Sequence, residues 1–240
     1  MLILAIDTTA LTASVAVADF DGETLKSHSV FSVKNALTHS ETLFPMIDSA
    51  LKIYGKSINQ IDLFAVSAGP GSFTGVRIGV AAIKGLSFEG KPCAAVSTLE
   101  ALAENIGGDG LICPLMDARR NVFYNALFVR ENGELRRLTP DRPISLEELK
   151  EELSAFESVK ICGDGTELFI SNYDGEVKVT APSPAERDQN ALSVAKCAAK
   201  AFAKGEAITA SELKPIYLRK AQAEREREER LAKTAQDKNN

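Results

Sequence analysis

Histidine is scarce in this chain: His28 and His39 are the only two in 240 residues. No cysteine, aspartate or second histidine stands at a metal-ligand spacing from His39, so no transition-metal site is written around it. The four cysteines, Cys93, Cys113, Cys162 and Cys197, are widely separated and form no CxxC pair. Each lies in an apolar run, where a free thiol behaves as a small core residue, and a disulfide framework or zinc site is excluded. Also missing are an HExxH motif and any Ser or Cys nucleophile with a histidine partner, which argues against a peptidase. Ser72 and Ser97 read instead as a helix start and a loop residue. No apolar run is long enough for a membrane span, because the opening MLILAIDTT is interrupted at Asp7. That opening has neither the basic stretch nor the small-residue cleavage site of a signal peptide, and it reads as the buried first strand of a cytoplasmic protein. Positive charge is in deficit as well. With a net charge of -5, the chain does not attract a polyanion by bulk electrostatics, and such a partner would be held largely by something else.

What is present is ordinary for a soluble globular protein: 45% apolar and 25% charged residues, in a length that suits one large domain or two small lobes. The order of the runs points to two lobes. Residues 2–6 form an apolar run ending at Asp7. Residues 12–18 (TASVAVA) and 24–33 then read as strands joined at Asp21-Gly22-Glu23 by a type I′ turn or a near relative. The same grammar returns at 111–138: LICPLM ending at Asp117, the strand-like run VFYNALFV, and a turn at Asn132-Gly133-Glu134. Two such patterns in register suggest an internal duplication. Helices are expected at 38–54, 72–89 and 98–106 in the first half, with strands at 61–67 and 92–96. In the second half helices are expected at 145–155 and 188–204, with strands near 159–162 and 176–180. Strands alternating with helices predict an α/β architecture of mixed sheets covered by helices. Gly107-Gly108-Asp109-Gly110 is the expected linker between an N-terminal lobe, 1–108, and a C-terminal lobe, 109–222. The last stretch, 223–240, is almost all charge and alanine and reads as a solvated tail.

Two segments of the first half carry local signals. Thr38-His39-Ser40-Glu41 fits a capping box, and Leu43, Phe44, Ile47, Leu51 and Tyr54 follow at helical spacing. Pro45 predicts a kink one turn in. A neutral His39 at the first helical position could act in catalysis, and the plainer reading is a polar surface residue. The second segment is SAGPGSFTGVRIG, residues 67–79. A strand feeding a Gly-Pro-Gly turn and then a helix can present backbone N–H groups to an anion. The segment is neither a Walker loop nor a dinucleotide fingerprint. The helix carries Gly75, Gly79 and Gly85 with Ala81 and Ala82 between. Each interior glycine costs about 0.5–1 kcal/mol relative to alanine, so a close approach of another backbone must compensate. That backbone belongs either to the helix's own sheet or to a partner's helix.

These residues resemble a family. IDTTALTASVAV, THSETLFPMID, SAGPGSFTGVRIGVAAIKGL, VSTLEALA, MDARRNVFYNALF and PIYLRKAQ occur in the order seen in the TsaB family, also called YeaZ, and the resemblance runs from residue 1 to about 222. It implies an α/β fold of the two-lobed actin/hexokinase/Hsp70-like (ASKHA) type, with internally duplicated mixed sheets flanked by helices. It also implies a non-catalytic scaffold subunit that works with the catalytic paralogue TsaD and the small ATPase TsaE. The reaction served is transfer of threonylcarbamoyl from threonylcarbamoyl-AMP to N6 of adenosine 37, in tRNAs that read codons beginning with A. The tRNA would be met indirectly, through the complex. The catalytic paralogue carries an H-x-x-x-H metal-binding pair just after the glycine helix. The matching positions here are Thr98 and Leu102, and the metal site is expected to be absent. In this fold two Asp-containing turns flank a nucleotide's phosphates. Asp7, Thr8 and Thr9, Gly69 and Gly71, Asp117 and Arg119, and Gly163 of Gly163-Asp164-Gly165 would form such a pocket. Asp117-Ala118-Arg119-Arg120 lacks the glycine that lets phosphate approach the backbone. The pocket is therefore expected to be vestigial, with weak ATP or ADP binding at most and no other cofactor.

Two functions remain open. As a scaffold, helices 38–54 and 72–89 would pack on the paralogue's equivalents through Thr38, His39, Glu41, Leu43, Phe44, Ile47, Gly75, Arg77, Ile78, Gly79 and Ala82. The same surface would form a two-fold homodimer when the chain is alone. Gly79→Arg is then expected to block pairing and leave the fold largely intact. As an enzyme, the chain would be an ATP-dependent small-molecule kinase of the same fold, with Asp7 and Asp117 handling Mg-ATP.

Overall fold

The computed structural model describes residues 1–35, 38–87 and 90–219; the charged tail expected at 223–240 lies outside the described residues. The first half opens with three antiparallel strands, β1 (Leu2–Asp7), β2 (Thr12–Asp21) and β3 (Thr24–Lys34). Asp21 pairs with Thr24, and Gly22, not Glu23, takes a positive φ of 60°. That makes the turn a near relative of type I′ rather than type I′ itself. Helix α1 (His39–Tyr54) follows, then strand β4 (Leu63–Gly69), helix α2 (Phe73–Leu86), strand β5 (Cys93–Ser97) and helix α3 (Thr98–Glu104). The Glu41 carboxylate accepts from the Thr38 N–H at 3.1 Å, as a capping box requires. The helix runs as one element through Pro45 to Gly55, which closes it in the left-handed conformation. The sheet order is β3-β2-β1-β4-β5, with β4 parallel to β1 and β5 parallel to β4.

The second half repeats this plan. Strand β6 (Gly110–Asp117) is its centre. Strands β7 (Val122–Asn125) and β8 (Phe128–Glu131) lie in succession along β6, both antiparallel to it. Strands β9 (Glu134–Arg137) and β10 (Arg142–Ser145) pair with β8 and β7 respectively. Helix α4 (Leu146–Leu153), strand β11 (Ser158–Cys162), helix α5 (Thr166–Asn172), strand β12 (Lys178–Thr180), helix α6 (Pro184–Arg187) and helix α7 (Ala191–Ala203) complete it. Strand β11 is parallel to β6 and β12 to β11. Counting each broken pair as one strand reproduces the order of the first sheet, so the duplication holds at the level of topology. VFYNALFV is thus not one strand but two. The break falls after Asn125, whose buried amide donates to the carbonyls of Pro114 at 3.1 Å and Ala126 at 3.2 Å in place of a ladder bond.

The two halves do not pack as two closed lobes. One face of sheet one is covered by α1 and α2, around Leu4, Val15, Leu43, Phe64 and Ile83. Its other face is covered by α7, whose Val194, Ala195, Ala198 and Ala199 meet Ile3, Ala16, Phe20 and Leu63. The boundary expected at 109 therefore needs correction, because α7 and the segment after it belong to the first lobe. Leu213 is fully buried in the first lobe's core. Helix α3 in turn joins the second sheet through Leu99, Leu102, Ile112, Met116 and Phe128. The remaining face of sheet two is closed by α4 and α5 around Leu115, Phe123, Leu149, Ile161 and Phe169. The glycine-rich linker is pinned by Lys160, whose ammonium donates to the carbonyls of Gly107 at 2.8 Å, Gly108 at 2.9 Å and Asp109 at 3.1 Å. Among the described residues no helix is long and apolar enough to cross a membrane.

Candidate functional site

A cleft of about 780 Å³ separates the facing ends of the two sheets. Thr9, Ala10 and Leu11 after β1 line one side, and Met116, Asp117, Ala118 and Arg119 at the end of β6 line the other. Gly71, Ser72, Phe73 and Thr74 at the start of α2 form a rim with His39. Tyr124, Asp164, Tyr217 and Arg219 complete it. The duplicated Asp-containing turns thus come together, as their register in the sequence implies.

Asp7 does not reach this cleft. It is 1% exposed. One of its oxygens accepts from the Thr9 N–H at 2.9 Å and the Thr9 hydroxyl at 2.7 Å, and the other accepts from the Ser67 hydroxyl at 2.6 Å. Burial pushes the Asp7 carboxyl above its usual range, against the pull of those hydrogen bonds. With both oxygens engaged internally, Asp7 shapes the turn. Thr8 is buried too and donates to the Gly75 carbonyl at 2.7 Å. The glycine-rich turn also faces its own chain. Ser72 N–H donates to the Thr9 carbonyl at 2.7 Å, and the Ser72 hydroxyl accepts from Gly75 N–H at 3.2 Å. Gly69 lies against the Ile216 backbone.

In the second turn Arg119, Arg120 and Asn121 take φ values of 64°, 59° and 56° in succession. This is a left-handed run built without glycine. The Asp117 carboxylate accepts from the Arg119 N–H at 2.7 Å, and Ala118 N–H donates to the Val122 carbonyl at 2.9 Å. Side chains therefore stand where a phosphate cradle needs bare backbone, and the turn does not fit that group. Asp164 presents its tip to the cleft and accepts from the Asp117 N–H at 3.2 Å. The protein closing around its carboxyl, with the Asp117 carboxylate nearby, pushes it up to about 6. Gly163 sits behind it, donating to the Arg187 carbonyl at 2.7 Å, and opens on a separate recess of about 110 Å³ shared with Lys34 and Asp188.

Of the residues expected to meet a partner, Leu43, Ile47, Gly75, Gly79 and Ala82 are buried in the first lobe itself. A Cβ at Gly79 would lie 2.7 Å from Thr8 Oγ1 and 3.1 Å from a Val66 methyl. The close approach that compensates Gly75 and Gly79 is thus to Thr8 and Val66 of their own lobe, whereas nothing lies within 4 Å of a Cβ at Gly85. Gly79→Arg would not leave the fold intact, which corrects that expectation. Thr38, Glu41, Phe44 and Arg77 do reach the surface, and Ile78 and His39 are half-buried. His39 turns toward the cleft and donates from Nε2 to the Ala10 carbonyl at 2.6 Å, tying α1 to the first turn. Thr98 and Leu102 are 0% and 2% exposed. A threonine and a leucine packed in this way do not fit a metal ion. Two cleft residues, Tyr217 and Arg219, escape a local reading of the sequence: PIYLRKAQ marks them as a motif without saying where the segment goes.

Fold and cleft define a two-lobed α/β protein built on two mixed sheets of equivalent strand order, with the ends of β1 and β6 facing each other across the cleft. The family described as "TsaD: tRNA N6-adenosine threonylcarbamoyltransferase" matches residues 33–225. The chain is 31% identical over 231 residues to the tRNA threonylcarbamoyladenosine biosynthesis protein TsaB of Haemophilus influenzae, spanning 91% of this chain and 94% of that relative. It is 38% identical over 155 residues to the protein of the same name from Bacillus subtilis, spanning 64% of this chain and 66% of the relative. The solved structure of YeaZ from Pseudomonas aeruginosa matches with a TM-score of 0.76 at 26% identity, covering 90% of this chain and 99% of that one. The chain belongs to the TsaB family.

Proposed function

We propose that this chain is a scaffold subunit, itself non-catalytic, in the formation of threonylcarbamoyladenosine on tRNA. It works in the cytoplasm beside a TsaD-like catalytic paralogue and a TsaE-like ATPase. The paralogue carries out transfer from threonylcarbamoyl-AMP to N6 of the adenosine, and tRNA is reached through the complex. The observation that carries the reading is at α3. The two positions where the resemblance puts the paralogue's histidine pair hold Thr98 and Leu102, both buried. Leu102 is part of the apolar packing that joins α3 to sheet two. A docking face is available on α1, where Phe44 is 54% exposed, close to the surface residues Thr38 and Glu41 at the start of the helix. A partner helix, or a second copy of this chain when it is alone, covers that face. No cofactor is assigned, and ATP or ADP binding is weak.

The test is reconstitution of transfer to unmodified tRNA with the paralogue and ATPase of the same organism, with and without this chain. Transfer is expected to require the chain and to keep its rate when the chain carries Asp117→Ala and Asp164→Asn, since these carboxylates do no chemistry here. Transfer that proceeds equally well without the chain overturns the proposal. Loss of transfer with a folded double variant, together with tight Mg-ATP binding by calorimetry, favours the kinase alternative.

A further inference from the structure

We infer that the run Ile208–Arg219 is a clasp that sets the opening of the cleft between the lobes, with Tyr217 and Arg219 as its catch. The run starts on sheet one, where Ile208 and Cys93 exchange two backbone hydrogen bonds of 2.8 and 2.9 Å. Leu213 then plugs the core beneath α1 and α2. The Ile216 N–H donates to the Ala68 carbonyl at 2.7 Å. The Ile216 carbonyl lies over Gly69, in space that a side chain there would fill. Tyr217 stacks on Phe73 with ring centroids 4.7 Å apart. The Arg77 guanidinium lies 3.8 Å from the centroid of the Phe73 ring and donates through Nε to the Tyr217 hydroxyl at 2.7 Å. Two residues later the chain has crossed to the second lobe, where the Arg219 guanidinium donates to the Ala118 carbonyl at 2.8 Å.

Placement decides what these contacts do. The chain crosses between lobes at the 107–110 linker and again at 188–190, and neither crossing lines the cleft, whereas Tyr217 and Arg219 do. A tie at the mouth resists opening with more leverage than one at a crossing. Other cross-lobe ties lie away from this mouth: the Ser97 hydroxyl donates to the Asp141 carboxylate at 2.6 Å and Lys200 to Glu104 at 3.0 Å, and Lys34 meets Asp188 at 2.9 Å with its lysine 57% exposed. An ion pair so open to water contributes little. The catch is also held ready: Phe73 and Arg77 fix Tyr217 from two sides, so little side-chain freedom remains to be lost when Arg219 reaches Ala118. The chain thus sets the cleft's width by its own contacts, with no ligand needed to hold it. This property belongs to the isolated chain and stands or falls separately from the scaffold role.

The test uses spin labels on Asp48→Cys in α1 and Glu151→Cys in α4, both exposed, read by pulsed electron resonance. The four native thiols are buried and stay unlabelled. The otherwise unaltered chain is expected to give one narrow distance. Arg219→Ala is expected to broaden it and shift it to longer separation. Arg219→Lys, which keeps a donor for the carbonyl, is expected to restore most of the narrow distribution. Tyr217→Phe, which keeps the stack and loses the hydroxyl contact, is expected to fall between. Arg219→Ala removes no core side chain, so its thermal midpoint should stay close to the parent's and separate opening from unfolding. A distribution in Arg219→Ala that matches the parent overturns the clasp. Broadening in Arg219→Lys equal to that in Arg219→Ala overturns it too, since a contact to a carbonyl needs only a donor.

Discussion

Gly79 and Gly85 lie on the same helix, and their environments differ. At Gly79 a side chain would press on Thr8 Oγ1 at 2.7 Å, and Thr8 is fixed by its bond to the Gly75 carbonyl. At Gly85 nothing lies within 4 Å of an added Cβ. Alanine favours the helix at either position by about 0.5–1 kcal/mol. At Gly79 that gain is set against overpacking, which costs about 1–3 kcal/mol in a tight core. Denaturant melts should therefore show Gly85→Ala stabilised and Gly79→Ala destabilised by about 1–2 kcal/mol net. Gly79→Arg should not reach a folded state. Equal gains at the two positions would mean that the missing side chain at Gly79 is not what seats α2 against β1.

Among elements, α3 shows how a short helix can depend on a distant side chain. It has seven residues and ends at Glu104, too few to be stable by propensity. Arg130, 8% exposed on β8, caps its end. The guanidinium donates to the carbonyls of Ile106 at 3.0 Å, Glu104 at 3.2 Å and Ala103 at 3.3 Å, and it lies 3.7 Å from the Glu104 carboxylate. Arg130→Met keeps much of the volume and strips these acceptors of their donor. Removing one member of a buried charged pair costs about 3–5 kcal/mol, and Lys200, 3.0 Å from the same carboxylate, offsets part of it. A loss of about 3 kcal/mol by denaturant melt, with faster amide exchange in α3, is the expected result. A change within experimental error would sink the capping role. The sequence announces α3 itself through VSTLEALA, and the Asp7 and Asp117 hairpins through runs and turns that are local. It announces neither Arg130 as the cap nor the break after Asn125, because both depend on groups brought in from other strands. The helix glycines have the same limit: their composition demands a close neighbour and does not say whether it is Thr8 of this chain or a residue of another. Helix α7 is legible as a helix, but an alanine-rich face names no particular sheet.

At the scale of the whole molecule, the destination of α7 decides what can fold alone. The face of sheet one that α7 covers carries Ile3, Ala16, Phe20, Leu63, Ala65 and Val96, all buried in the intact chain. A fragment ending at residue 108 keeps all five strands of that sheet and loses α7 and Leu213, which fills part of the core beneath α1 and α2. It also leaves α3 without the β6 and β8 residues, Met116 and Phe128, on which it packs. The length is ample for a domain with a complete core, but this fragment would expose a contiguous apolar sheet face, which soluble monomers avoid. The fragment 1–108 is therefore expected to aggregate or to bind a hydrophobic dye without a cooperative melt. Co-expression with 109–240 should restore a soluble complex with one transition, because α7 and the clasp then return to their seats. A soluble, cooperatively melting 1–108 would contradict this. It would mean that the first sheet closes its faces by some other packing, and that the crossing of α7 joins two lobes already folded rather than completing the first.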